Sequence, residues 1–127
     1  AVRGFYVTNA LGRLEETVRV AEGGFAEPAP AGTILQLIPQ EAMVKRLPGT
    51  IPETDDWEYF LLASDADGTE IVERGGVEVE NAAGSCFGCH VGASDRDYIC
   101  EDTGLCADAA VPRPVVDALV GSDERCE

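Results

Sequence analysis

The chain has 127 residues, 45% of them hydrophobic, and carries 24 acidic against 9 basic side chains, a formal net charge of −15. That length fits one domain with a real core, and the charge argues against DNA, RNA and anionic membrane as partners. No apolar run approaches the ~18 residues of a membrane span.

Residues 3–8 (Arg-Gly-Phe-Tyr-Val-Thr) combine aromatic and β-branched side chains and predict a first strand. Asn9 to Ala21 reads two ways: Ala10, Leu11, Leu14 and Val18 with Glu15-Glu16 suit a short helix, whereas Thr17 to Val20 suit the start of a strand. Gly23-Gly24 ends either element. Pro28 to Gly32 forms a rigid turn into Thr33–Ile38, a short apolar run expected to be a buried strand closed by Pro39. Gln40 to Leu47 is a helical turn or an extension of the sheet, and Pro48-Gly49 and Ile51-Pro52 mark a loop to Asp56. Trp57–Leu62 is the clearest strand. Asp65-Ala66-Asp67-Gly68 turns it, and Thr69–Val72 returns as its hairpin partner. The same Asp-x-Asp-Gly could open a calcium loop, but its twelfth position is Gly76 rather than glutamate. Val77–Val79 is expected as a short strand, with Asn81 or Ser85 capping a helix. Asp97-Tyr98-Ile99 starts a further short element, and Val115–Val120 predicts a C-terminal helical turn stopped by Gly121.

The helix that Asn81 or Ser85 would cap carries Cys86-Phe87-Gly88-Cys89-His90. This is C-x-x-C-H, the attachment signature of a c-type haem. Each thiol can add across one haem vinyl group, and the spacer lets both reach from one helical turn. His90 then supplies an imidazole nitrogen to the iron. A thioredoxin-like pair belongs to a βαβ unit, which is not encoded here. A zinc site needs four closed ligands, and the chain has one histidine. The expected cofactor is therefore one covalent haem c. Such attachment normally takes place outside the cytoplasm, and five cysteines agree with an oxidising compartment, so the expected location is periplasmic or otherwise exported.

In order along the chain, Phe5-Tyr6-Val7-Thr8-Asn9, Pro30-Ala31-Gly32-Thr33, Ala42-Met43-Val44-Lys45-Arg46, Asp56-Trp57-Glu58-Tyr59-Phe60, the haem signature and Asp97-Tyr98 together resemble cytochrome P-460 and its relative cytochrome c′-β. The resemblance covers roughly residues 3 to 100 and rests mainly on the haem signature. It implies a mainly β (α+β) fold: a small antiparallel sheet with a late haem-bearing helix, residues 1–127 forming one domain. The core would be residues 3–100, and 101–127 a cysteine-containing tail. It also implies a homodimer as a possible assembly. Cytochromes P-460 carry a lysine-to-haem cross-link and oxidise hydroxylamine. Cytochromes c′-β lack it, keep an open iron position under an apolar cap and bind nitric oxide. The one lysine here is Lys45, and the strand after Gly32-Thr33 reads Ile34-Leu35-Gln36-Leu37. That departure counts against hydroxylamine oxidation.

His90 is the expected proximal iron ligand. Met43, the sole methionine, is a candidate distal ligand, against its commoner role as a core gap-filler. Phe60 and Phe25 are candidates for an apolar lid over the iron. Arg46, Arg74 and Arg96 are candidates for haem-propionate contacts or a distal hydrogen bond, against plain solvation. Cys100 and Cys106 enclose a short loop and are expected to pair, leaving Cys126 free or bridging two chains. Alternatively Cys126 staples the tail. The functional expectation is a monohaem redox protein passing electrons to a basic partner or within a larger assembly. Binding of a small gas, hydroxylamine oxidation and a purely structural haem are the alternatives.

Overall fold

The computed structural model describes residues 5–37 and 40–100, together with Pro114, Ala118, Gly121 and Ser122. Five strands form one antiparallel sheet in sequential order: β1 (Phe5–Asn9), β2 (Thr33–Leu37), β3 (Glu41–Lys45), β4 (Trp57–Asp65) and β5 (Gly68–Gly75). A two-strand ribbon, β6 (Glu80–Asn81) with β7 (Gly84–Ser85), leads into the late helix. The protein is mainly β with two short helices, as the sequence predicts at that level.

The ambiguous segment after β1 is helix α1 (Leu14–Glu22). Thr17 and Val20 are buried while Val18 and Arg19 are exposed, a spacing that a helix satisfies and a two-residue alternation does not. Glu15 and Glu16 in the first turn and Arg19 in the last complement the helix dipole. Arg13 gives the helix no side-chain cap. Asn9 winds the connection instead, its Oδ1 accepting from the N–H groups of Leu11 (2.8 Å) and Arg13 (3.2 Å). Its Nδ2 donates to Thr17 Oγ1 at 3.0 Å, and Thr17 shares a hydrogen bond of 3.1 Å with Thr33. The buried hydroxyls under α1 are thus satisfied.

Gln40 to Leu47 resolves as β3, the extension of the sheet. Strand alternation puts Met43 and Lys45 inward. The hairpin holds as expected: Asp65 pairs Gly68 across the loop Ala66-Asp67, and a bulge at Leu61/Leu62 shifts the register. Val77–Val79 is a turn rather than a strand. At the C-terminus, Gly121 is itself helical and does not stop the helix there; Val115, Val116, Leu119 and Val120 lie outside the described residues, as do Ile38 and Pro39.

Register fixes two faces. Val7, Leu35, Met43 and Tyr59 stand opposite one another in a row across the sheet. Val20, Phe25, Ala29, Val79 and Ile99 cover that row and Trp57 to form the core. The neighbouring row on the other face is Tyr6, Gln36, Ala42, Phe60 and Arg74. That face is held by a carboxylate between two guanidiniums: Glu58 accepts from Arg46 Nε at 2.5 Å and from Arg74 Nε at 2.6 Å. Arg74 also lies 4.8 Å over the Phe60 ring. β5 is exposed on both faces from Gly68 to Arg74, including Ile71 and Val72.

Burial alone would raise the Glu58 carboxyl, but Arg74 and Arg46 outweigh it and hold the group below its ordinary value near 4.5. A depressed carboxyl stabilises the fold above its unfolded pKa, and the contribution is lost as pH falls through the folded pKa. Glu58→Gln is therefore expected to lower unfolding free energy at pH 7 by about 1–3 kcal/mol. Urea titrations should show the gap between wild type and variant closing under acid; a gap that stays constant would refute the assignment.

Candidate functional site

Helix α2 (Cys86–His90) is short, and its position is set from both ends. Cys86 N–H donates to the carbonyl of Val79, a fully buried residue, at 3.1 Å. Ser85, not Asn81, is the cap: its Oγ accepts from Gly88 N–H at 3.0 Å. Asn81 instead donates to Glu41 at 2.5 Å. Gly88 suits the spacer, because a Cβ there would stand 3.1 Å from Ser85 Cβ. Cys86 and Cys89 are free thiols, both half-buried, and Cys86 packs against the core. Burial first, then the nearby Glu41, pushes the Cys86 thiol up to about 11.

The chain leaves α2 through a 3-10 stretch, Val91–Arg96, kinked at Ala93. It then passes two consecutive left-handed residues, Asp97 at φ 50 and Tyr98 at φ 62. Such conformations cost of order 1–3 kcal/mol each and persist where surrounding contacts over-determine them. Here Asp97 is the anchor. Its Oδ1 accepts from Lys45 Nζ at 2.9 Å, its Oδ2 from Ala29 N–H at 2.7 Å, and its carbonyl from Trp57 Nε1 at 2.9 Å. Burial pushes the Asp97 carboxyl up, opposed by Lys45 and the Ala29 N–H.

This turn brings the Tyr98 carbonyl to 2.7 Å from His90 Nδ1, with Cys100 Sγ 3.3 Å from the same nitrogen. Burial lowers the His90 pKa, against the opposing effects of the Tyr98 carbonyl and Glu41, so the imidazole is neutral at neutral pH. A carbonyl only accepts, so the single ring proton lies on Nδ1 and Nε2 keeps its lone pair. That is the arrangement in which a metal-ligating histidine is held by its other nitrogen. The Tyr59 ring stands 5.3 Å from the imidazole between centroids, and Phe87 in turn lies 6.4 Å from Tyr59 and 5.5 Å from Tyr98. Tyr59 is 2% exposed, and its hydroxyl is buried with no hydrogen-bond partner among the described residues. Burial pushes that hydroxyl's pKa up.

Cys86, Cys89 and His90 are thus together on α2. Phe60 is not with them: it follows Tyr59 on β4, so the pleat sends it to the opposite face, under Arg74. The lid role expected for Phe60 is withdrawn on that geometry. Phe25 is 1% exposed inside the core, and Met43 sits in the same cluster between Leu35 and Tyr59. Met43 therefore shares the face of Tyr59, but it is packed as a core residue. Arg46 and Arg74 are taken by Glu58, and Arg96 donates to the Gly24 carbonyl at 3.0 Å. Lys45 is committed to Asp97 and lies 5.1 Å over Trp57. Cys100 is disulfide-bonded, and the expected pairing with Cys106 falls outside the described residues. Among the described residues no cluster of three or more histidine, cysteine or acidic side chains could hold a bare metal ion.

Sequence reading missed Tyr59 as a wall of the site and Tyr98 as the partner of His90. Tyr98 acts through its backbone carbonyl, which has no sequence signature. The one available signal was Asp97, since aspartate is enriched in left-handed turns. Compared with known proteins, the chain matches no family model, no curated protein and no solved structure.

A buried hydroxyl without a partner destabilises by about 1–3 kcal/mol relative to an apolar group of the same shape. Tyr59→Phe is expected to raise the unfolding free energy by about 1 kcal/mol. Urea denaturation followed by tryptophan fluorescence measures it, and a loss of stability would mean that the hydroxyl has a partner.

Proposed function

We propose that this chain is an exported monohaem c-type cytochrome, with Cys86 and Cys89 forming thioethers to one haem and His90 serving as the axial ligand. The observation that carries the reading is the Nδ1–H of His90 held by the Tyr98 carbonyl, which leaves Nε2 as a lone-pair donor beside two free thiols. The residues present fit the group. Both thiols are half-buried on the same helix as His90, and Tyr59 sets its ring against the imidazole with Phe87 against Tyr59. Bare-metal coordination lacks a ligand cluster among the described residues.

When bound, a c-type haem would supply a one-electron iron couple. The chain's own part is to fix the imidazole tautomer, exclude water with Tyr59 and Phe87, and present a strongly acidic surface. The net charge of −15 favours a basic redox partner, and the disulfide at Cys100 agrees with an oxidising compartment. Electron transfer is the leading role. A second role, binding of nitric oxide or another small gas, is favoured by one feature: the chain has a single histidine, and Met43 is sunk in the core. The resemblance to cytochrome P-460 and cytochrome c′-β agrees with both. Hydroxylamine oxidation is disfavoured, since Lys45 is paired with Asp97.

Intact mass in denaturant is expected to show one added haem, lost when both Cys86 and Cys89 are replaced by alanine. A mass equal to the bare polypeptide would sink the reading. The ferrous protein is expected to shift its Soret band with carbon monoxide, and Met43→Ala to leave the starting spectrum unchanged. If carbon monoxide binds only the Met43→Ala variant, Met43 is the sixth ligand and the gas-binding role falls.

A further inference from the structure

We infer that Asp97 is the positioning residue for His90, acting through the Tyr98 carbonyl; the inference rests on the reading of His90 as the axial ligand. Asp97 lies seven residues past the histidine and does not touch it. It binds the sheet through Lys45, the α1–β2 connection through Ala29, and the strand-β4 indole through its own carbonyl. Three separate parts of the fold thereby fix one residue at φ 50, and the next residue at φ 62 presents its carbonyl to the imidazole.

The Tyr98 N–H donates to Ala93 at 2.9 Å, so the same turn is closed on its near side as well. Without the carboxylate, the turn loses Lys45 and Ala29 and keeps the Trp57 hydrogen bond and its own short-range backbone bonds to Ala93 and Arg96, and a non-glycine pair in the left-handed region relaxes toward right-handed backbone. That relaxation moves the Tyr98 carbonyl away from Nδ1. The imidazole then loses its carbonyl partner and keeps at Nδ1 only the weak sulfur contact of Cys100, so its proton distributes over both nitrogens and the lone pair no longer stays on Nε2. A buried ion pair that merely held the sheet together would leave the tautomer unchanged.

Long-range proton–nitrogen NMR of the haem-free full-length chain reads the His90 tautomer. Resonance Raman of the ferrous haem protein reads the iron–histidine stretch, which falls as the Nδ1 hydrogen bond weakens. Wild type is expected to show the Nδ1–H form alone. Asp97→Ala should show both tautomers and a downshifted stretch, and Asp97→Asn should restore both signatures because it keeps an acceptor and tolerates the left-handed turn. Glu58→Gln, on the other face of the sheet, should leave His90 unchanged. A folded Asp97→Ala protein with wild-type tautomer and stretch would overturn the inference. Where Asp97→Ala does not fold, Lys45→Gln loosens the same anchor from β3, and an unaltered His90 in that variant overturns it equally. A chain that never carries haem lacks the stretch in every variant, which removes the proposed function while the tautomer comparison still decides the role of Asp97.

Discussion

The carboxylate of Asp97 is the constraint on which the site depends. It lies 7% exposed at the meeting point of β3, β4 and the connection between α1 and β2, with a lysine, a backbone N–H and an indole converging on the one residue. Buried charge is tolerated only where its partners are complete. Here the residue that satisfies all three sits left-handed, at φ 50. A contact made for burial reasons thus determines where a carbonyl lands near the imidazole.

The imidazole shows how little the side chains alone decide. Its environment is mostly rings, which set shape and dryness but not protonation. The proton's location follows from a single carbonyl, and the ring's neutrality follows from burial. The apolar wall and the polar pin come from different elements: Tyr59 from the sheet, Phe87 from α2, Tyr98 from the turn. Each is held by its own packing, so the arrangement is rigid without a long helix or a large core.

Much of the fold was legible in the sequence because its signals were local. Turn residues bounded β2, and the Asp-rich loop with Gly68 announced the hairpin. The segment Leu14–Glu22 was ambiguous because Thr17, Val18 and Val20 favour strands, and only the buried spacing of Thr17 and Val20 resolves it. The signature on α2 was legible for the same local reason. The position of Phe60 was illegible because alternation puts Tyr59 and Phe60 on opposite faces without saying which of the two faces carries α2. The partners of Arg46 and Arg74 were illegible because Glu58 meets them only once β4 pairs with its neighbours. Tyr98 was illegible as a functional residue because it acts through its main chain.

Strand β5 carries a different consequence. Among the described residues it ends the sheet order, with Ile71 and Val72 facing solvent. No proline interrupts it. Glu70, Glu73 and Arg74 flank its apolar pair, so the guard against sideways addition of another strand is electrostatic. Such a guard is conditional: it weakens as salt shortens the reach of the charges. The colloidal behaviour of the protein is therefore tied to ionic conditions through one hairpin, independently of how firmly the rest of the molecule is folded.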